Sequence, residues 1–127
     1  MKQEPSALES SNTNDEIKVI RVGGYIDITT ADEIEKVLKS LISAGCYNIV
    51  IDLENVDYIS SAGWGIFISQ IKEIRDNGGD LKLARMKPEV YEVFDVLEFF
   101  WIFKAYDSVD EAIEDFNSQT DEYSQAE

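Results

Sequence analysis

The run Tyr47-Asn48-Ile49-Val50-Ile51-Asp52-Leu53 constrains the fold more than any other part of this chain. Ile49, Val50 and Ile51 are apolar at consecutive positions. Successive side chains of a strand point to opposite faces, so both faces of this strand are buried. A strand covered on both sides belongs to a parallel sheet flanked by helices. The neighbouring segments fit that frame. Ile17-Lys18-Val19-Ile20-Arg21-Val22 is β-branched and reads as a strand, with Tyr25-Ile26-Asp27-Ile28 resuming after Gly23-Gly24. Two glycines between short strands predict a hairpin or a bulge.

Helices alternate with these strands. Thr30-Ala31-Asp32-Glu33 has the form of a capping box, followed by Ile34, Val37, Leu38, Leu41 and Ile42 at helical spacing and by Gly45 at the helix end. A second helix follows the central strand and ends at Gly78-Gly79, before the short strand Leu81-Lys82-Leu83-Ala84. Pro88 suits the first turn of a third helix with Val90, Val93, Phe94 and Leu97 as its stripe. Phe99-Phe100-Trp101-Ile102-Phe103 holds a last strand, and not all five can point inward. Ser108-Val109-Asp110-Glu111 is another capping box, ahead of Val109, Ala112, Ile113 and Phe116. The order predicts an α/β fold: a mixed, mostly parallel sheet of about five strands with about four helices, whose one antiparallel strand comes from the opening hairpin. Residues 1–15 and 118–127 are polar and without periodicity. They read as a mobile N-terminal tail and an acidic C-terminal tail around one domain at 16–117.

Composition narrows the chemistry. There is no histidine, which removes the commonest general base and metal ligand and every Ser-His or Cys-His pair. One cysteine, Cys46, allows neither an internal disulfide nor a cysteine-clustered zinc site. Neither a metal nor a cofactor is expected, and the chain does not read as an enzyme. The net charge is −15, which repels nucleic acid and anionic membranes. Eight acids and no Lys or Arg lie between Asp107 and Glu127. They serve solubility or steer a basic partner. No run approaches the roughly 18 apolar residues of a membrane-spanning helix, so membrane insertion is not expected. No secretory signal is visible behind Met1-Lys2-Gln3-Glu4-Pro5-Ser6, and the simplest expectation is a cytoplasmic protein, monomeric or weakly dimeric.

The segment Asp57-Tyr58-Ile59-Ser60-Ser61-Ala62-Gly63-Trp64-Gly65 stands where the central strand becomes a helix. First-turn N–H groups have no partner within a helix, and an anion there is favoured by those donors and by the helix dipole. A serine at such a place is a cap, a phosphate ligand or a phosphate acceptor. On a helical wheel, Trp64, Phe67, Ile68, Ile71 and Ile74 form the core stripe, while Ser61 and Gly65 face water. Ile66 lies away from the core, either without consequence or as part of a contact surface. Gly63 and Gly65 each lower helix propensity by about 1 kcal/mol relative to alanine. They let the helix sit tightly on the sheet, or let another molecule approach the first turn. The Gly-Lys-Ser/Thr ending of a phosphate-binding loop is missing.

Gly24-Tyr25-Ile26-Asp27, Val50-Ile51-Asp52-Leu53, Ile59-Ser60-Ser61-Ala62-Gly63-Trp64-Gly65 and Asn77-Gly78-Gly79, in this order and spacing, carry a resemblance. Over roughly Ile17 to Phe116 the chain resembles the STAS domain family, and most of all its bacterial anti-sigma factor antagonists. The resemblance implies phosphorylation of Ser61, with Ser60 as the second choice, by a partner kinase that is itself the anti-sigma factor. It implies that the unmodified protein binds that kinase and frees a sigma factor. It also implies that a PP2C-type phosphatase resets the switch. Asp27, Ser60, Ala62, Gly63, Trp64, Gly65 and Ile66 are the expected partner-binding residues. Two positions depart from the family pattern: Ser60 where many antagonists have Asp, and Trp64 where Leu is common. The family also contains scaffolds and lipid-transport components that work without phosphorylation. A different plan, the phospho-aspartate receiver, would use Asp52 and Lys104, but Gly23-Gly24 stands where its magnesium-binding acids belong. An enzyme site would need Asp27, Asp52 and Asp57 to converge.

Overall fold

The computed structural model describes the backbone of residues 8–12 and 17–126 and the side chains of 17–118. The elements are β1 (Leu8–Asn12), β2 (Ile17–Ile26), α1 (Ile28–Ser43), β3 (Asn48–Ile59), α2 (Ser61–Asp76), β4 (Asp80–Ala84), α3 (Pro88–Val96), a 3₁₀ turn (Phe99–Trp101), β5 (Ala105–Tyr106) and α4 (Val109–Ala126). The sheet runs β1-β2-β3-β4-β5, with β1 antiparallel to β2 and the other pairs parallel. This is the mixed, mostly parallel α/β architecture that the alternation predicts.

Strands β2 to β5 follow one another across the sheet in chain order. Right-handed crossovers then put every connecting helix on the same face. Ile34 and Leu38 of α1, Trp64, Phe67 and Ile74 of α2, and Val90 and Phe94 of α3 accordingly share one core with Ile20, Ile51 and Leu83 of the strands. Helix α4 comes after the last strand and covers the other face, where Ala112 and Phe116 meet Ile17, Val19, Val50 and Ala84. Ile49, Val50 and Ile51 are fully buried, as a strand covered on both sides must be.

Several local expectations change. Gly23-Gly24 does not reverse the chain. Gly24 takes a positive φ of 78°, which only shifts the register against β3, and β2 runs on beside its long parallel neighbour. The antiparallel strand is instead Leu8–Asn12, inside the segment read as a tail. At the other end α4 continues to Ala126, through the segment read as an acidic tail. Helix α1 starts three residues before its expected capping box. Asp27 accepts from the N–H groups of Thr29 (3.0 Å) and Thr30 (3.1 Å), and a carboxylate there satisfies the orphan donors directly. The Thr30 hydroxyl turns back to the Tyr25 carbonyl at 3.1 Å. The expected strand at Phe99–Phe103 is the 3₁₀ turn, entered through Glu98 at φ 59°, and β5 follows it. Only Phe103 of that aromatic run is buried. Val93 and Leu97, expected in the α3 stripe, are exposed.

Candidate functional site

Ile26 of β2 and Ile59 of β3 are cross-strand partners, and each is followed at once by the N-cap of a helix: Asp27 for α1 and Ser60 for α2. Two helix starts therefore lie side by side at the C-terminal edge of the sheet. The Ser60 N–H donates to the Ile26 carbonyl at 2.9 Å, which ties the two together.

The two neighbouring serines have different surroundings. Ser60 is half-buried, with extended backbone at φ −76° and ψ 170°. Its Oγ accepts from the Gly63 N–H at 3.2 Å, and its carbonyl accepts from the Trp64 N–H at 3.0 Å. Ser61 is exposed, and its hydroxyl makes no hydrogen bond among the described residues. No acidic residue occupies the first turn of α2. A neutral cap, free first-turn donors and an exposed hydroxyl thus coincide.

Gly63 and Gly65 separate in role. A Cβ on Gly63 would stand 2.7 Å from Ile26 Cγ2 and 2.9 Å from Ile59 Cγ2, so its absence lets α2 settle on the sheet. A Cβ on Gly65 would meet nothing within 4 Å, and Gly65 is exposed. The buried stripe of α2 is rotated toward Gly63 and includes Gln70. Ile68, expected inside, is therefore partly exposed, and Ile66, expected outside, is half-buried against the core. Ala62 is half-buried in the same way. Trp64 is 4% exposed and packs on Phe67, Phe94 and Phe99, the last at 4.8 Å between ring centroids. Its indole Nε1 is buried with no hydrogen-bond partner among the described residues. A cavity of about 80 Å³ adjoins it, between the residues before Ser60 and α3. Of the expected contact residues, Asp27 and Gly65 lie open at this edge beside the expected phosphorylation site Ser61, while Gly63 and Trp64 belong to the packing beneath it.

Three exposed side chains at the same edge escaped the sequence reading. Tyr25 and Tyr58 are cross-strand partners with ring centroids 5.9 Å apart, 65% and 51% exposed, and Ile28 opens α1 at 76%. Strand alternation holds the signal, because each tyrosine precedes an inward isoleucine, Ile26 or Ile59.

The carboxylates do not converge. Asp27 is held below the ordinary aspartate range, first by the Thr30 N–H. Asp57 pairs with Lys87 Nζ at 2.6 Å, and that hydrogen bond leads in raising the Lys87 pKa. Asp52 is buried and bidentate with Arg85, at 3.1 and 2.8 Å, with Arg21 at 3.4 Å. Lys104 pairs with Asp115 at 3.6 Å. Neither an enzyme-like carboxylate cluster nor a receiver pairing of Asp52 with Lys104 is present among the described residues. No group of three or more His, Cys, Asp or Glu among them could hold a metal ion. No helix there is long and apolar enough to cross a membrane.

Comparison with known proteins shows the family and the fold. The STAS domain family model matches residues 10–112. The anti-sigma-B factor antagonist of Staphylococcus aureus is 30% identical over 86 residues, covering 68% of this chain and 80% of that protein. The fold is similar to protein TM1081 of Thermotoga maritima, with a TM-score of 0.78 at 24% identity over 85% of this chain and 92% of that one. It is also similar to the Bacillus cell fate determinant SpoIIAA in its phosphorylated form, with a TM-score of 0.71 at 22% identity over 87% and 99% of the two chains.

Proposed function

The chain belongs to the STAS domain family, among its anti-sigma factor antagonists, and on that premise we propose that it is a cytoplasmic partner-switching protein controlled at Ser61. In the unmodified state it binds an anti-sigma factor serine kinase and so releases a sigma factor. The kinase moves the γ-phosphoryl group of ATP to the Ser61 Oγ. The bond between the β- and γ-phosphates breaks, ADP leaves, and the hydroxyl proton passes to a base on the kinase. A PP2C-type phosphatase hydrolyses the ester, restoring the hydroxyl and releasing inorganic phosphate. The protein itself is a binding module and not a catalyst.

The observation that carries this reading is the contrast between the two serines. Ser60 is engaged as the cap of α2, while Ser61 stands exposed at the same helix start. A phosphate on Ser61 adds roughly −1.5 to −2 charges and three acceptor oxygens. The unsatisfied first-turn N–H groups favour that charge without rearranging the fold. What the charge opposes is a partner packed against the edge formed by Tyr25, Ile28 and Tyr58. A loss of about 3 kcal/mol there lowers affinity about a hundredfold. Asp27, on the adjoining helix start, orients the kinase or the serine hydroxyl.

The test is to incubate the protein with its cognate kinase and ATP and map the phosphate by mass spectrometry. Ser61 is expected to carry it, and an unmodified Ser61 rejects the reading. Ser61→Asp is expected to bind the kinase about a hundredfold more weakly, and Ser61→Ala to bind normally but resist release. Equal affinity of Ser61→Asp and the parent protein rejects the switch.

A further inference from the structure

A second, wider cavity lies further along the same C-terminal edge of the sheet, on the far side of α3 from the serines. It is an open groove of about 1040 Å³ at the C-terminal ends of β4 and β5, between α3 with its following 3₁₀ turn and α4. Its position follows from the topology. Helix α3 lies on one face of the sheet and α4 on the other, and α/β sheets bind their ligands in the crevice where consecutive helices change faces. Helix α3 stands between this groove and α2, since Val90 and Val93 border the small cavity beside Trp64 while Tyr91 and Phe94 line the groove.

One wall and the floor are aromatic: Tyr91, Phe94, Phe100 and Phe103. Tyr91 and Phe100 are roughly half exposed, and Trp101, tilted against Phe100 with ring centroids 5.6 Å apart, is 78% exposed. The charges around this apolar surface are asymmetric. Each cation is already paired within the chain: Arg85 with Asp52 and Glu54, both at 2.8 Å, Lys87 with Asp57, and Lys104 with Asp115. Apart from Asp115, which pairs with Lys82 and Lys104, the acids of the α4 rim are not so matched. Glu111 accepts only the Asp107 N–H, and Asp107 and Glu114 make no ion pair among the described residues. No Lys or Arg follows Lys104 in the sequence. An occupant must therefore present apolar side chains to the aromatic wall and positive charge to α4.

We propose that this groove docks a basic amphipathic helix of a partner protein, with its apolar face on Tyr91 and Phe100 and its lysines or arginines against Glu111 and Glu114. Helix-in-groove recognition uses this division of labour, with apolar anchors for affinity and complementary charge for orientation. The site is separate from Ser61 and does not depend on the switch.

The probe is a synthetic peptide of leucine and lysine, about 18 residues and five helical turns long, patterned so that the leucines form one face. Calorimetric titration is expected to give saturable one-to-one binding, and Trp101 emission is expected to change with it. Glu111→Gln/Glu114→Lys keeps the α4 cap and should weaken binding about tenfold or more. Phe100→Ser should weaken it by a similar factor. Glu33→Lys/Glu73→Gln makes the same change in charge on α1 and α2 and should alter affinity by less than about threefold. No binding, equal loss in both charge variants, or equal binding of a leucine–glutamate peptide overturns the proposal. So does a dimer of the protein alone that the peptide dissolves, because the groove is then occupied by a second copy. Circular dichroism of each variant separates lost docking from lost folding.

Discussion

The starts of α1 and α2 occupy equivalent places. Both follow cross-strand partners in the sheet, both open a 16-residue helix, and both have an N-cap in extended backbone. They differ in chemistry. Helix α1 carries its own anion, since Asp27 satisfies two first-turn donors with a carboxylate. Helix α2 is capped by a neutral hydroxyl that reaches one donor, and the next residue is an exposed serine. The fold meets the same electrostatic demand permanently at one helix and leaves it open at the other. That difference makes the second position suited to a charge that comes and goes. The supports differ as well. Beneath the start of α2 lie Gly63 and Trp64, both buried, whereas α1 opens on the exposed Ile28.

The largest effect that separates the two starts is the loss of that support. Trp64→Ala removes a buried ring in contact with three aromatic neighbours and is expected to destabilise the protein by about 3–5 kcal/mol. Ile28→Ala should change stability by less than about 0.5 kcal/mol. Urea denaturation measures both, and equal values would erase the asymmetry. The two glycines sharpen it further. Gly63→Ala forces a methyl group against the stiff branches of Ile26 and Ile59, with an expected loss of about 1–3 kcal/mol from overpacking. Gly65→Ala meets open space and should stabilise the helix by up to about 1 kcal/mol. If kinase affinity falls in that stabilised variant, Gly65 is kept for the close approach of a partner. If affinity is unchanged, its bareness has no bearing on binding. Smaller again is the cap. Ser60→Ala removes the bond to the Gly63 N–H and should cost about 1 kcal/mol, while Ser61→Ala, which removes no bond, should leave stability within about 0.5 kcal/mol.

The legibility of the fold follows the strength of its patterns. Ile49-Val50-Ile51 announced a strand buried on both faces, and Pro88 and Ser108 marked helix starts that the structure keeps. Gly23-Gly24 left a hairpin and a bulge both open, and the structure takes the bulge, so the antiparallel strand does not come from a hairpin there. The choice was made by the length of β3, a tertiary fact absent from the local sequence. The aromatic run at Phe99–Phe103 has the composition of a strand, but Glu98 in a left-handed conformation turns the chain first. At the serine edge, the helix start and the exposure of Ser61 were legible from position and helical phase. The pairing of Tyr25 with Tyr58 was not, because it requires knowing that β2 and β3 are neighbours in register. Nor could sequence divide the two glycines, whose roles depend on what stands opposite each missing Cβ.

The finest distinction between the two helix starts is their response to acid. Asp27 has its pKa lowered from the ordinary 3.8, chiefly by the Thr30 N–H, because folding favours the charged form. A carboxylate whose folded-state pKa is depressed contributes stability that is present above the unfolded value and lost as pH falls through the folded one. Stability should therefore fall below about pH 4 partly through Asp27. Asp27→Asn keeps a side-chain acceptor at the cap but removes the titration. Its unfolding free energy, followed by urea denaturation from pH 6 to pH 2.5, should decline less steeply than that of the parent protein. Parallel curves would mean that the Asp27 charge adds nothing to the cap. Phosphorylated Ser61 supplies the matching measurement at α2, since a phosphate monoester titrates near pH 6. Helix donors that favour its dianion should lower that value in the folded protein, so the phosphorylated form gains stability relative to the unmodified one as pH rises toward 7. A phosphorus NMR titration showing an ordinary phosphoserine pKa would mean that the α2 start does not engage the phosphate, and the likeness between the two helix starts would end at their geometry.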